Sequence, residues 1–170
     1  MGAAVIPPSQ ITIIVDSREQ APFTFAGMQT ETAALPHGDY SVGGMEKWIA
    51  VERKSLSDFI ACMTSQRRRF ETELAALRGY RYRAVVVEYN LDTLLRGLAD
   101  GSLSRMSWQS ALGTISAWTG RFAPIMFCGS RKGGEAFARA FLTNAAKDIL
   151  EPLQHLAQVQ VQVQAREPAA

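Results

Sequence analysis

The segment Trp48-Ile49-Ala50-Val51-Glu52-Arg53-Lys54-Ser55-Leu56-Ser57-Asp58 decides how this chain folds. Apolar residues give way to Glu52-Arg53-Lys54, the pattern of a buried strand whose end emerges into solvent. Ser55 and Asp58 stand at the spacing of a capping box, with Ser55 as N-cap and Asp58 reaching back to it. A strand over 47–54 is therefore predicted to run straight into a helix over 55–63. On its N-terminal side a turn containing Gly43-Gly44 joins it to a strand over 39–43. Further upstream, Ile11-Thr12-Ile13-Ile14-Val15-Asp16 is a mostly apolar, β-branched run ending in a carboxylate, so Asp16 is expected at the sheet edge and not buried mid-strand. The 20–36 stretch, broken by Pro22, Gly27 and Pro36, reads as irregular with one short strand at 23–25.

Downstream, Phe70, Leu74 and Leu77 share one face of a helix predicted over 66–78, with Gly79 just past its end. A buried strand follows over 84–89, then helices over 91–98 and 104–118, the second with Trp108, Leu112 and Ile115 inward. A strand over 124–128 and a helix over 134–150 complete an α/β alternation around a central sheet flanked by helices. Gln158 to Gln164 alternates Gln with Val159, Val161 and Val163, which leaves an edge strand, a dimer contact and a frayed tail as open readings.

The chain has 170 residues, 47% hydrophobic and 20% charged, which is one domain's worth with a core that needs no staples. We divide it into a flexible lead-in over 1–9, a single domain over 10–150 and a tail over 151–170. No apolar run reaches the roughly 18 residues of a membrane span, and no secretion or myristoylation signal opens the chain. Cys62 and Cys128 sit in apolar segments and read as free thiols, which suits a reducing, cytoplasmic compartment. With His37 and His155 as the only imidazoles, Cys/His zinc clusters are excluded and any metal must be held by oxygen.

Glu52 and Lys54 are two apart in a strand and project from the same face. A turn centred near Gly44 and Met45 places Asp39 opposite Val51 or Glu52, and Asp16 adds a third carboxylate if the first strand lies beside the hairpin. Carboxylates so close repel unless a cation lies between them, and a hard divalent ion that keeps several waters suits them. A lysine beside such an ion can orient an attacking water and stabilise charge growing on a phosphate. The arrangement suits phosphodiester hydrolysis, while a plain Glu52–Lys54 surface ion pair is the simpler reading.

Asp16-Ser17-Arg18-Glu19, Gly38-Asp39-Tyr40 and Glu52-Arg53-Lys54 followed by Asp58 resemble, in order and distance, the nuclease domain of the XPF/Hef-type structure-specific endonucleases. The resemblance extends to about residue 150 and implies the restriction-endonuclease-like fold, with 10–150 as the nuclease domain. It implies metal-dependent hydrolysis of branched, forked or flap DNA in repair, recombination or replication, with Mg²⁺ or Mn²⁺ as cofactor. On that basis Asp39 and Glu52 bind the metal with the Arg53 carbonyl, Asp16 lies close to it and Lys54 assists the water. Arg18, Glu19, Arg53 and Asp58 match positions that support the site or touch the phosphate backbone. Relatives usually add a double helix-hairpin-helix module, and no signal for one is present here. A stand-alone domain of this kind resembles bacterial or phage members, which find substrate as a homodimer or through a recruiting partner protein. The alternative is a catalytically silent DNA-binding scaffold, against which stands the presence of Asp16, Asp39, Glu52 and Lys54.

Other residues have plainer readings. Asp58 is explained by the capping box alone. Arg67 and Arg69 pair at i,i+4 with Glu71 and Glu73, which leaves Arg68 free, yet with Arg78, Arg81 and Arg83 nearby we read a DNA-facing patch. His37 reads as a solvated turn histidine, Glu88 as a strand-end carboxylate that is not assigned to the site, and Arg131-Lys132-Gly133-Gly134 as a flexible loop. Trp108 and Trp118 read as core.

Overall fold

The computed structural model describes residues 11–164, and across them the strands form one sheet between two helical layers. The predicted lead-in over 1–9 and the end of the tail, 165–170, lie outside the described residues. In chain order the elements are β1 (Thr12–Asp16), β2 (Gln29–Ala33), β3 (Tyr40–Val42), β4 (Ile49–Lys54), α1 (Leu56–Met63), α2 (Arg67–Leu77), β5 (Tyr82–Val87), α3 (Leu91–Ala99), α4 (Trp108–Arg121), β6 (Ile125–Phe127) and α5 (Arg131–Gln164). The sheet order is β2-β1-β3-β4-β5-β6. β3 runs antiparallel to β1 and β4, whereas β2 is parallel to β1, and β4, β5 and β6 are parallel to one another.

Alternation along the central strands assigns side chains to the two layers. Ala50, Val85 and Val87 pack against Phe59, Phe70, Leu74, Leu94 and Trp118 of α1 to α4. Ile49, Val51 and Val86 face the other way, onto Ala138, Leu142, Ala146 and Ile149 of α5 and onto Phe23 and Phe25. With β4 and β5 buried on both faces, their near-continuous apolar runs are what a parallel core requires. Ser55 caps α1 as predicted, its hydroxyl accepting from the Asp58 N–H at 3.2 Å and donating to the Asp58 carboxylate at 2.7 Å.

Four expectations change. The short strand at 23–25 is absent, and those residues instead form an aromatic cluster in which Phe23 stacks on Tyr40 at 5.2 Å. The strand of that region is β2, Gln-Thr-Glu-Thr-Ala, which pairs with β1 alone and is mostly exposed, so no hydrophobic period announces it. Helix α4 buries Ala111, Thr114, Ile115 and Trp118, while Trp108 and Leu112 stay 40% and 39% exposed. Trp118 decides that rotation, because its ring packs edge-on against Phe59 and Phe70 and its indole N–H donates to Glu71 at 3.0 Å. Finally, α5 begins at Arg131 and continues through Pro152 to Gln164, so the Gln/Val run is helical and not a strand. Propagation from a helix already packed on the sheet outweighs a weak period-2 pattern. Among the described residues no helix is long and apolar enough to cross a membrane.

Gly38 precedes the Asp39 turn with φ +77°, and a Cβ there would lie 3.1 Å from the Val51 carbonyl oxygen and 3.3 Å from the Ala50 Cβ. Both the backbone conformation and the close approach to β4 demand glycine. Gly38→Ala is expected to lower stability by about 1–3 kcal/mol, seen as a lower urea midpoint with unchanged slope.

Candidate functional site

The strands bring the predicted residues to one end of the sheet. Tyr40 pairs with Val51, so Asp39 falls opposite Glu52 and not Val51. The Asp16 N–H donates to the Asp39 carbonyl and the Asp39 N–H to the Val51 carbonyl, both at 2.8 Å, so β1, β3 and β4 converge there. By strand alternation Glu52 and Lys54 share the face of Ala50, towards α1 and α2, and Arg53 takes the α5 face with Val51. A cleft of about 620 Å³ opens over this end, with Asp39, Glu52, Lys54, Asp58 and Arg69 among its walls.

Glu52 is 8% exposed and Asp39 half-buried, and this desolvation sets their electrostatics. Burial, and then the charge of Glu52, lift the Asp39 carboxyl to about 7. Burial also raises Glu52, although Lys54 opposes it through charge and a hydrogen bond to Oε1. For Lys54 burial disfavours the cation, but the Glu52 charge and hydrogen bond prevail and raise it, so the amine is firmly protonated. Its ammonium also stands 5.2 Å from the Phe70 ring centroid. Asp39 Oδ2 accepts from the Arg53 N–H at 2.7 Å. That leaves Asp39 Oδ1 and Glu52 Oε2 without hydrogen-bond partners among the described residues.

Asp16, expected to be presented, is 2% exposed. Its Oδ1 accepts from the Arg18 N–H at 2.7 Å and Nε at 2.8 Å, and its Oδ2 from Arg18 Nη2 and the Leu35 N–H at 2.8 Å. These bonds, the Arg18 side chain foremost, hold Asp16 down at about 2. The saturated carboxylate forms a wall of the cleft.

Among the described residues no group of three or more His, Cys, Asp or Glu side chains is gathered as a metal cage. The Asp39–Glu52 pair nonetheless fits a hard divalent ion. It offers two unpartnered carboxylate oxygens at the mouth of an open cleft, and Mg²⁺ takes few protein ligands and keeps most of its waters.

The remaining predicted residues divide. Arg18 lies exposed on the cleft rim, as does Arg69, which pairs with Glu73 at 2.9 Å. Arg68 is exposed and has no partner among the described residues. Arg67 turns away, bonding Glu71 and Thr114 and lying over the Trp118 ring. Arg81 and Arg83 sit at the opposite end of β5, and Arg83 is tied to the carbonyls of Phe122 and Tyr80, so neither joins a patch at this cleft. His37 borders the cleft and meets Tyr80 edge-on at 6.1 Å.

Behind the site, Glu88 grips Arg53 through Nε at 2.8 Å and Nη2 at 3.0 Å, and Arg53 Nη1 reaches Glu19 at 3.4 Å. Arg131, read from sequence as loop, begins α5 and donates to Glu88 at 3.1 Å. The position of Glu88 at the end of a buried strand was its only signal, and Arg131 had none.

Residues 15–132 match the ERCC4 domain family. Comparison with curated proteins finds no match. Among solved structures the chain is similar to XPF from Aeropyrum pernix, at 21% identity and a TM-score of 0.59, over 94% of this chain and 75% of that one. It is also similar to XPF from Aeropyrum pernix in complex with DNA, at 22% identity and a TM-score of 0.60, over 81% of this chain and 66% of that one. The chain thus spans part of the length of those solved chains. At such identities the likeness is one of fold, and it is the restriction-endonuclease-like α/β fold.

Because the folded state holds the Asp39 proton up to about 7, the stability this provides is present below about pH 4 and is lost as pH rises through 7. Asp39→Asn keeps an acceptor for the Arg53 N–H and removes the charge. At pH 8 it is expected to raise Tm by at least about 3 °C, equivalent to about 1 kcal/mol, with the gain vanishing near pH 4 in thermal unfolding followed by circular dichroism.

Proposed function

The chain belongs to the ERCC4 domain family, and from that premise we propose that it is a DNA endonuclease that uses a divalent cation, Mg²⁺ or Mn²⁺, at branched, forked or flap DNA. The observation that carries this reading is the meeting of Asp39 and Glu52, each with an unpartnered oxygen, beside a protonated Lys54 in an open cleft. The family membership supports a nuclease acting on DNA in repair, and the DNA complex of XPF from Aeropyrum pernix shows DNA on a chain of similar fold.

Asp39 and Glu52 would hold the cation. When bound, the ion supplies Lewis-acid chemistry, making a water more acidic and drawing charge from the phosphate. Lys54 is paired with Glu52 and firmly protonated, so it serves as a hydrogen-bond donor and positive charge, and not as a base. From its place in the cleft it would donate to an attacking water or to the charge growing on the phosphate. Asp39, near half-protonated at neutrality on its own, must lose that proton to take a cation, so activity is expected to fall steeply below pH 7. Arg18 and Arg69 are exposed on the rim, Arg68 is exposed next to Arg69 on α2, and all three suit backbone phosphates, while Asp16 and Asp58 hold local structure.

The test is cleavage of labelled flap, fork, Holliday-junction, duplex and single-stranded DNA in Mg²⁺, Mn²⁺ or EDTA. Wild type is expected to cut branched substrates only with metal, Asp39→Ala to lose cleavage, and Lys54→Ala to lose about 10²–10³-fold in rate. Binding of branched DNA without cleavage in any metal would overturn the catalytic reading in favour of a scaffold. Arg68→Ala is expected to weaken binding to all sequences alike and to lower the salt slope of the affinity by about one.

A further inference from the structure

We infer that Glu88 and Arg131 are positioning residues of the cleavage site, acting through Arg53 on Asp39; this rests on the endonuclease reading above. Behind the site, on the α5 side, four ionic side chains alternate in sign: Glu19, Arg53, Glu88 and Arg131. The Arg53 side chain is 11% exposed and those of Glu19 and Glu88 are 9% exposed. A guanidinium so desolvated, held along one edge by the two Glu88 oxygens and lying 5.6 Å from the Phe23 centroid, has one orientation. The backbone N–H of Arg53 is the donor that holds Asp39 Oδ2 at 2.7 Å. What fixes Arg53 therefore aims Asp39.

Arg131 completes the arrangement from the first turn of α5. It donates to Glu88 at 3.1 Å and, through Nη2, to the carbonyls of Ala21 at 2.9 Å and Pro22 at 2.7 Å. Glu19, Gln20 and Ala21 belong to the cleft wall, so one guanidinium ties that wall to Glu88 at the end of β5, and Glu88 in turn holds Arg53 of β4, the strand carrying Glu52 and Lys54. The helix can approach because Gly134 has no side chain: a Cβ there would lie 3.1 Å from the Phe23 ring and 3.5 Å from the Glu88 Cγ. Neither Glu88 nor Arg131 borders the cleft, so neither is placed to touch substrate.

Glu88→Gln turns an amide N–H₂ towards the donors of Arg53 or Arg131. The single-turnover cleavage rate is expected to fall by about 10–100-fold with DNA affinity unchanged within about twofold, and Arg131→Gln to lose about 3–10-fold. In the same Glu88→Gln protein, hydrogen exchange is expected to show about tenfold less protection of the Arg53 amide, with that of Val86 unchanged. The triple variant Glu19→Gln, Arg53→Met and Glu88→Leu removes the three buried charges together and is expected to recover the unfolding midpoint without recovering cleavage. Unchanged cleavage in Glu88→Gln, an unchanged Arg53 amide, or recovery of cleavage along with stability would each overturn the inference, as would a loss of DNA affinity matching the loss of rate. If wild type cuts no DNA while the Arg53 amide responds as expected, the endonuclease reading falls and the aiming of Asp39 stands.

Discussion

Successive side chains of a strand leave opposite faces of the sheet, and the last three residues of β4 turn that rule into a division of roles. Glu52 and Lys54 enter the cleft, and Arg53 goes behind it to Glu88 and Glu19. The same Arg53 offers its N–H to Asp39 across the hairpin, so the residue that faces away also organises the face that reacts. A one-residue slip of β4 would send Arg53 into the cleft and bury both partners of the Glu52–Lys54 pair against α5. The apolar alternation of Ile49, Ala50 and Val51 prevents this, because Ile49 and Val51 must meet α5 and only Ala50 suits the α1–α2 side at that level. Core packing thereby sets the register of the chemistry.

The front of the site is electrostatically unsatisfied and the back is not. In front, burial lifts both Asp39 and Glu52, and among the described residues Lys54 is the one cation paired with either of them. Behind, two glutamates face two arginines and every member has a partner of opposite sign. A balanced buried network makes a rigid footing, and an imbalanced pair on top of it makes a place where a cation gains by arriving.

Much of this was legible in the residues because it depends on local rules. The strand ending in Glu52-Arg53-Lys54, the Ser55 cap and the Gly43-Gly44 turn each carry their own signal within a few positions, and all three stand where expected. What escaped depends on neighbours distant in sequence. Strand β2 is polar because it lies at the sheet edge, which nothing in Gln-Thr-Glu-Thr-Ala reveals. The face of α4 is chosen by Trp118 meeting Phe59, Phe70 and Glu71, so an equally apolar stripe through Trp108 and Leu112 loses. Arg131 acquires its role from carbonyls 109 and 110 residues away.

Asp16 and Asp39 show most sharply why residue type and spacing stop short of assigning roles. They are the same residue, they end up side by side, and the N–H of one donates to the carbonyl of the other. Yet four donors converge on the Asp16 carboxylate and drive it down to about 2, while Asp39 receives one donor beside a buried glutamate and rises to about 7. Saturation with hydrogen bonds stabilises a carboxylate's charge and leaves no lone pair turned outward, whereas burial without such bonds leaves an oxygen in need of a partner. The aspartate best suited to hold the fold is thus the one least suited to take a ligand. The fold separates the two roles by where it sends Arg18: onto Asp16, and so away from Asp39.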